Sequence, residues 1–286
     1  MPAELFALLS SLCYASSYIF AKKALKGSDP LAGVLLSVGA GALLLVGVAL
    51  LMVPSKHLLL VGILIFALAG FCAPGLGRVF SFIAISRVGV SRSSLIYATE
   101  PLLTVVVARW FLGEVLTLQI ILGTVLIILG VMNLSQEKRE HRPWRLQDLL
   151  YAILATAFYG ISTVIRKWGL GEIPDPLLGA TVNSLSAAVL VGIFASVRRG
   201  EGRLTMSRLA GWYYVASGVS SAVAILFMFV SLNHGDVVVV SPLLSTRPLF
   251  AILLSFLFLR DVERVTWRIF LGGVLVVLGS AAITAR

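Results

Sequence analysis

Two tetrapeptides carry the residue types best suited to chemistry, Thr99-Glu100-Pro101-Leu102 and Thr246-Arg247-Pro248-Leu249. Each sits near the middle of a long apolar run. They differ at one position, where the first has an acid and the second a base. A charge deep in an apolar segment is costly and marks a functional site by default. The proline beside it lacks an N–H and frees the carbonyl four residues earlier, at Tyr97 and Leu244. A charge next to freed backbone polar groups can hold a polar solute or carry a proton.

Other residues fall into place around this pair. Ser93, Tyr97, Glu100 and Thr104 follow the spacing i, i+4, i+7, i+11, which is one face of a helix. Arg78 is a third charge within an apolar run, beside Pro74, Gly75 and Gly77. It either snorkels to the nearer interface or lines a cavity. If all three charges share one cavity, the two arginines outweigh the glutamate, which favours an anionic or zwitterionic solute. Tyr14 and Ser17, with their counterparts Tyr159 and Ser162, offer hydrogen bonds without permanent charge. They line a solute path or join helices to one another. The bland reading of Glu100 and Arg247 is a structural ion pair that fixes helix register.

Composition limits what can position these residues. The 286-residue chain is 59% hydrophobic and 13% charged, with a mean hydropathy of +1.01. A soluble domain carries about 25% charged residues. The composition is that of a protein crossing a membrane many times. The net charge of +10 does not point to nucleic acid, because the basic residues crowd into short connectors facing anionic lipid. Cys13 and Cys72 have no metal or redox spacing, and His57, His141 and His234 sit in connectors. No metal and no cofactor is expected. The chain has no phosphate-binding GxxxxGK[ST] loop and no GxSxG or HExxH motif.

In lipid every backbone donor must be satisfied within its own segment or in a closed barrel, so long uniformly apolar runs must be helices. Ten are read, at roughly 4–24, 30–53, 58–84, 90–111, 116–134, 148–167, 176–197, 208–231, 236–259 and 265–284. The longest polar stretch divides the chain into residues 1–135 and 148–286, joined by a linker at 136–147. The halves resemble each other. Tyr14, Ser17 and Lys22 match Tyr159, Ser162 and Lys167, and Gly89 matches Gly235. Glu114-Val115-Leu116-Thr117 matches Glu263-Arg264-Val265-Thr266, and Gly123 and Gly130 match Gly272 and Gly279. Five helices per half is an odd number, so the second half enters from the opposite side as an inverted repeat. The Gly pairs, with Gly33, Ser37 and Gly41, read as surfaces for close helix packing.

Two copies of one signature carry a resemblance that covers nearly the whole chain. Each is a proline in the fourth helix of its half, then Glu-x-hydrophobic-Thr, then a helix with Gly-x6-Gly. The first copy is Pro101, Glu114 to Thr117, and Gly123 to Gly130. The second is Pro248, Glu263 to Thr266, and Gly272 to Gly279, with two extra residues between Pro248 and Glu263. In these features the chain resembles the EamA branch of the drug/metabolite transporter superfamily. The resemblance implies a ten-helix membrane fold of two EamA repeats and transport of amino acids, other metabolites or toxic compounds. Sugar-phosphate translocators of the same superfamily hold anions with intramembrane basic residues, which draws attention to Arg247.

The expectation is an all-α, multi-pass protein of a bacterial- or archaeal-type plasma membrane. It moves a small polar or anionic metabolite by alternating access, with proton coupling through Glu100. Its partners are a small solute and the lipid bilayer, with no nucleic acid, and it is a monomer or weak homo-oligomer. A scaffold or a membrane-embedded enzyme is the competing class. The expected site comprises Glu100, Arg247, Arg78, Tyr97, Thr104, Tyr14, Ser17, Tyr159 and Ser162, with helix breaks at Pro101 and Pro248.

Overall fold

The computed structural model describes residues 3–24, 30–52, 59–88, 93, 96–134, 146–198, 206–258 and 267–285. Among these residues the chain is helical, with no strand. The first half holds α1 (Ala3–Ala24), α2 (Pro30–Met52), α3 (Leu60–Gly70), α4 (Gly77–Val88), α5 (Glu100–Phe111) and α6 (Leu118–Leu134). The second holds α7 (Leu149–Glu172), α8 (Pro176–Arg198), α9 (Arg208–His234), α10 (Val237–Leu244), α11 (Arg247–Phe258) and α12 (Trp267–Thr284). Among the described residues seven stretches are long and apolar enough to cross a membrane, and two of them, Leu60–Ser81 and Val237–Leu254, run through helix breaks. Shorter apolar helices lie at Leu118–Asn133 and Leu271–Thr284.

The outer surface is apolar. Leu43, Leu50, Leu51, Leu129 and Val189 all face outward, Leu51 with 88% of its surface free. Water would penalise that arrangement and hydrocarbon does not. Trp110, Phe111, Trp168, Trp212 and Trp267 are exposed at or near helix ends, where amphipathic rings suit the lipid–water interface.

The main packing contacts run between the halves. α1 lies along α9, α2 against α8 and α9, α3 and α4 against α7, and α6 against α12. Hydroxyls join α1 to α9. Ser10 donates to the Ala224 carbonyl at 2.7 Å, Ser220 to Cys13 at 2.8 Å, and Ser231 to Ala3 at 2.7 Å. Buried hydroxyls must find partners where no water competes, so they act as fasteners between helices. Glycine allows the closest approaches. A Cβ on Gly123 would stand 2.6 Å from the Gly279 carbonyl oxygen, and one on Gly130 2.7 Å from that of Gly272. The early glycine of α6 meets the late glycine of α12, so the two helices run antiparallel.

The structure corrects several helix boundaries. The third helix is not one rod over 58–84. It is interrupted at Phe71–Leu76, where Ala73 has an extended backbone (φ −152°, ψ 130°) just before Pro74. The fourth run, read as 90–111, turns at Ala98–Thr99 and restarts as α5 at Glu100, with Pro101 in the first helical turn. The ninth run, read as 236–259, divides into α10 and α11 at Ser245–Thr246. The sixth helix continues past 167 to Glu172 as α7. The second Glu-x-hydrophobic-Thr turn, linker residues 136–145 and Gly89 lie outside the described residues.

Candidate functional site

Three interrupted spans supply the charged interior. α5 starts with Glu100, α11 starts with Arg247, and Arg78 is the second residue of α4, just past the third-helix break. Each charge therefore follows a helix break, where backbone polar groups are freed from the intrahelical ladder. One freed group is accounted for. Ser11 of α1 donates to the carbonyls of Leu243 (3.2 Å) and Leu244 (3.1 Å) at the end of α10.

Arg247 lies over the face of an aromatic ring. Its guanidinium carbon is 4.4 Å from the centroid of Tyr14 on α1. Guanidinium over a ring face is a cation–π contact, strengthened where water is excluded. The Nε of Arg247 is buried without a hydrogen-bond partner. Glu100 lies within electrostatic reach of Arg247 and Arg166. Among the described residues, however, no ion pair within 4.0 Å joins Glu100 to Arg247. The two opposite charges act on each other through space without a contact ion pair.

Tyr14 and Tyr159 complete this region. Arg247, Arg166 and Arg78 all act electrostatically on Tyr14, and Arg78 and Glu100 act on Tyr159. Arg78, half-buried, is thus within electrostatic range of both tyrosines. Gly77, the residue before it, lets the Tyr159 ring lie close against α4, since a Cβ there would stand 3.3 Å from that ring.

Other expected residues are engaged in helix contacts. Ser17 and Ser217 hydrogen-bond reciprocally, with Oγ to Oγ at 2.9 Å, Ser17 Oγ to Ser217 O at 2.9 Å and Ser217 Oγ to Ser17 O at 3.0 Å. Ser162 donates to Ala69 O at 2.8 Å and Ala73 O at 3.2 Å, fastening α7 to the third-helix break. Thr104 is fully buried and donates to the Glu100 carbonyl at 3.0 Å, while its hydroxyl packs where a Cβ on Gly160 would stand. The Tyr97 hydroxyl donates to Ser81 O at 3.3 Å.

Sequence reasoning missed Arg166. It is buried in α7, donating from Nε to Asn183 Oδ1 at 3.1 Å, from Nη2 to Ala73 O, and from Nη1 toward the Met228 sulfur at 3.6 Å. A helix read as ending at 167 puts Arg166 at its last turn, where a basic residue draws no attention. A signal was present in the spacing. Tyr159, Ser162 and Arg166 follow i, i+3, i+7, which is one helical face. Ser162 and Arg166 together satisfy the Ala73 carbonyl at the break.

Among the described residues no three His, Cys, Asp or Glu side chains gather as a metal site would require.

Comparison with known proteins settles the family. The model for the EamA-like transporter family matches residues 1–136 and again residues 147–285. The chain belongs to the EamA-like transporter family. It is thereby a multi-pass integral membrane protein of the drug/metabolite transporter superfamily. A solved crystal structure is similar over 99% of this chain and 96% of its own, with a TM-score of 0.84 and 17% identity. At that identity the likeness concerns the fold alone. No curated protein sequence matches this EamA-like chain.

Proposed function

We propose that this EamA-like protein is a secondary carrier that moves a small polar or anionic metabolite by alternating access. Its ten spans form two inverted five-helix repeats. Glu100 and Arg247 lie at their interface, with Arg78, Tyr14 and Tyr159 around them. The reading rests chiefly on Arg247. Its guanidinium lies on Tyr14 with an unpartnered Nε, in the field of Glu100 but not in contact with it. A register-fixing ion pair would close that gap. A solute site needs donors left open, because a buried donor without a partner gains most from an incoming acceptor. Arginines outnumber carboxylates in the group, which favours a solute bearing carboxylate or phosphate. Glu100 carries the coupling proton.

Flux into vesicles holding the purified protein tests this, using radiolabelled amino acids, organic acids and phosphorylated metabolites with and without a pH gradient. Wild-type protein is expected to move one of these classes. Arg247→Gln should abolish the flux, and Glu100→Gln should remove its response to the gradient. Undiminished transport in both variants would overturn the reading.

A further inference from the structure

The turn between α5 and α6 reaches across to the second half. Gly113 has φ +69°, a left-handed conformation that favours glycine. Arg109 donates to the Glu114 carbonyl at 3.2 Å, and Thr117 Oγ1 accepts the Ile120 N–H at 3.3 Å as α6 begins. A fixed turn thus presents Glu114. Its Oε1 accepts the Val237 N–H at 2.9 Å and its Oε2 the Val238 N–H at 2.9 Å. These N–H groups open α10, and Asp236 at its N-cap makes no capping hydrogen bond with its own side chain. The first half therefore supplies the cap for a helix of the second half.

The same corner is held from other sides. Lys167 Nζ donates to Leu232 O at 2.7 Å and Gly235 O at 2.9 Å, at the end of α9. A cation suits the carbonyls of a helix C-terminus, as a carboxylate suits the amides of an N-terminus. Gly235 also admits α1 closely, because a Cβ on it would stand 2.5 Å from that of Ala3. The residues bound here lie at the head of the interrupted span that carries Arg247. All eight residues of α10 are buried.

We propose that Glu114 closes one mouth of the solute path by capping α10, and that the carrier must break this cap to open Arg247 to that side. The inference rests on the carrier reading above. A cap shared between two halves that must move apart is a different device from a cap within one helix. Its loss frees the span to tilt without altering the span itself. Lys167 positions the same corner and is released in the same movement.

Thiol labelling tests the proposal without knowledge of the solute. Cys13 and Cys72 are the native thiols among the described residues and are first replaced by alanine. Val238→Cys then reports from beneath the cap, and Ile127→Cys reports from the fully buried α6–α12 seam. Glu114→Ala is expected to raise the maleimide rate at Val238→Cys about tenfold, the factor that loss of one helix cap gives when labelling follows local opening. The Ile127→Cys rate should not change. Glu114→Gln guards against failure to fold. Its amide can accept one N–H but turns a donor toward the other, so the rate should rise with the side-chain volume preserved. An unchanged rate at Val238→Cys, or an equal rise at both positions, would overturn the proposal. Absent flux in the wild-type protein would remove the carrier reading whatever the thiols show.

Discussion

The guanidinium of Arg247 rests 4.4 Å from the ring of Tyr14, which ties the interrupted span of the second half to the first helix of the chain. The two residues come from sequence positions more than two hundred apart, and neither would be stable in hydrocarbon alone. The cation is held by the face of the ring and keeps its Nε free. An aromatic ring suits a movable charge because it attracts without imposing one hydrogen-bond direction.

That contact predicts a difference between two substitutions at Tyr14. Phenylalanine keeps the ring and leucine removes it. A cation–π contact contributes about 0.5–2 kcal/mol, so Tyr14→Leu is expected to slow solute flux by roughly two- to thirtyfold, while Tyr14→Phe stays near wild type. Initial rates in reconstituted vesicles decide it. Equal loss in both variants would assign the role to the hydroxyl.

Exchange of the central charges separates a solute site from a structural pair. In Glu100→Arg with Arg247→Glu, a pure register pair regains both folding and transport. The expected outcome is a folded, monodisperse protein that melts somewhat below wild type, because the cation on the Tyr14 ring is lost, and that shows no flux, because the free donor there has become a carboxylate. Size-exclusion chromatography and flux on the same preparation give the answer.

Arg166 and Ser162 should differ in cost as well as in kind. Ser162→Ala removes a neutral donor and is expected to cost about 1 kcal/mol. Arg166→Met removes the charged donor to Asn183 Oδ1 and leaves the Ala73 carbonyl with Ser162 alone, and should cost about 3 kcal/mol, since bonds to charged groups contribute roughly twice as much. Thermal unfolding in detergent measures both.

The seam between α6 and α12 is expected to reject bulk. A Cβ on Gly279 would stand 2.6 Å from the Gly123 carbonyl oxygen, and backbone cannot yield as a side chain can. Gly279→Leu should destabilise the protein by about 1–3 kcal/mol, read as a lower melting temperature. Gly39→Leu is the control, because a Cβ there meets nothing within 4 Å.

Glu114 gives a pH dependence with a definite sign. Burial pushes its carboxyl above the ordinary glutamate range, aided by Asp236 and opposed by the Val237 and Val238 amides and by Lys167. The folded protein therefore holds this proton more tightly than the unfolded chain. The stabilisation is complete below the unfolded value of about 4.3 and is lost as pH rises through the higher folded value. Melting temperature against pH should fall across that window more steeply for wild type than for Glu114→Gln. Parallel curves would show that Glu114 does not titrate there.

The breaks next to Glu100 and Arg247 were legible because proline states its effect locally, in a missing donor and a freed carbonyl. The break at Phe71–Leu76 was not. Pro74 lies in an apolar run, separated from Arg78 by Gly75, Leu76 and Gly77, and neighbouring helices can satisfy such a proline without interruption. Here the satisfaction comes from Ser162 and Arg166, far away in sequence. Which way Ser17 turns was also hidden, since a serine lining a path and a serine joining helices have the same side chain. The Glu114 signature was visible twice, but its partners at Val237 and Val238 belong to the other half. Nothing near Glu114 in the sequence names them.

The interleaving of the halves bears on how the protein is made. When α1 to α6 have entered the membrane, Ser10, Ser17 and the glycine face of α6 still lack their partners, which have not been synthesised. The early helices must wait in lipid with polar groups provisionally satisfied, so insertion and folding are separate stages. Neither repeat should fold when produced alone. The two produced together as separate polypeptides should find each other, because the fasteners among the described residues connect one repeat to the other.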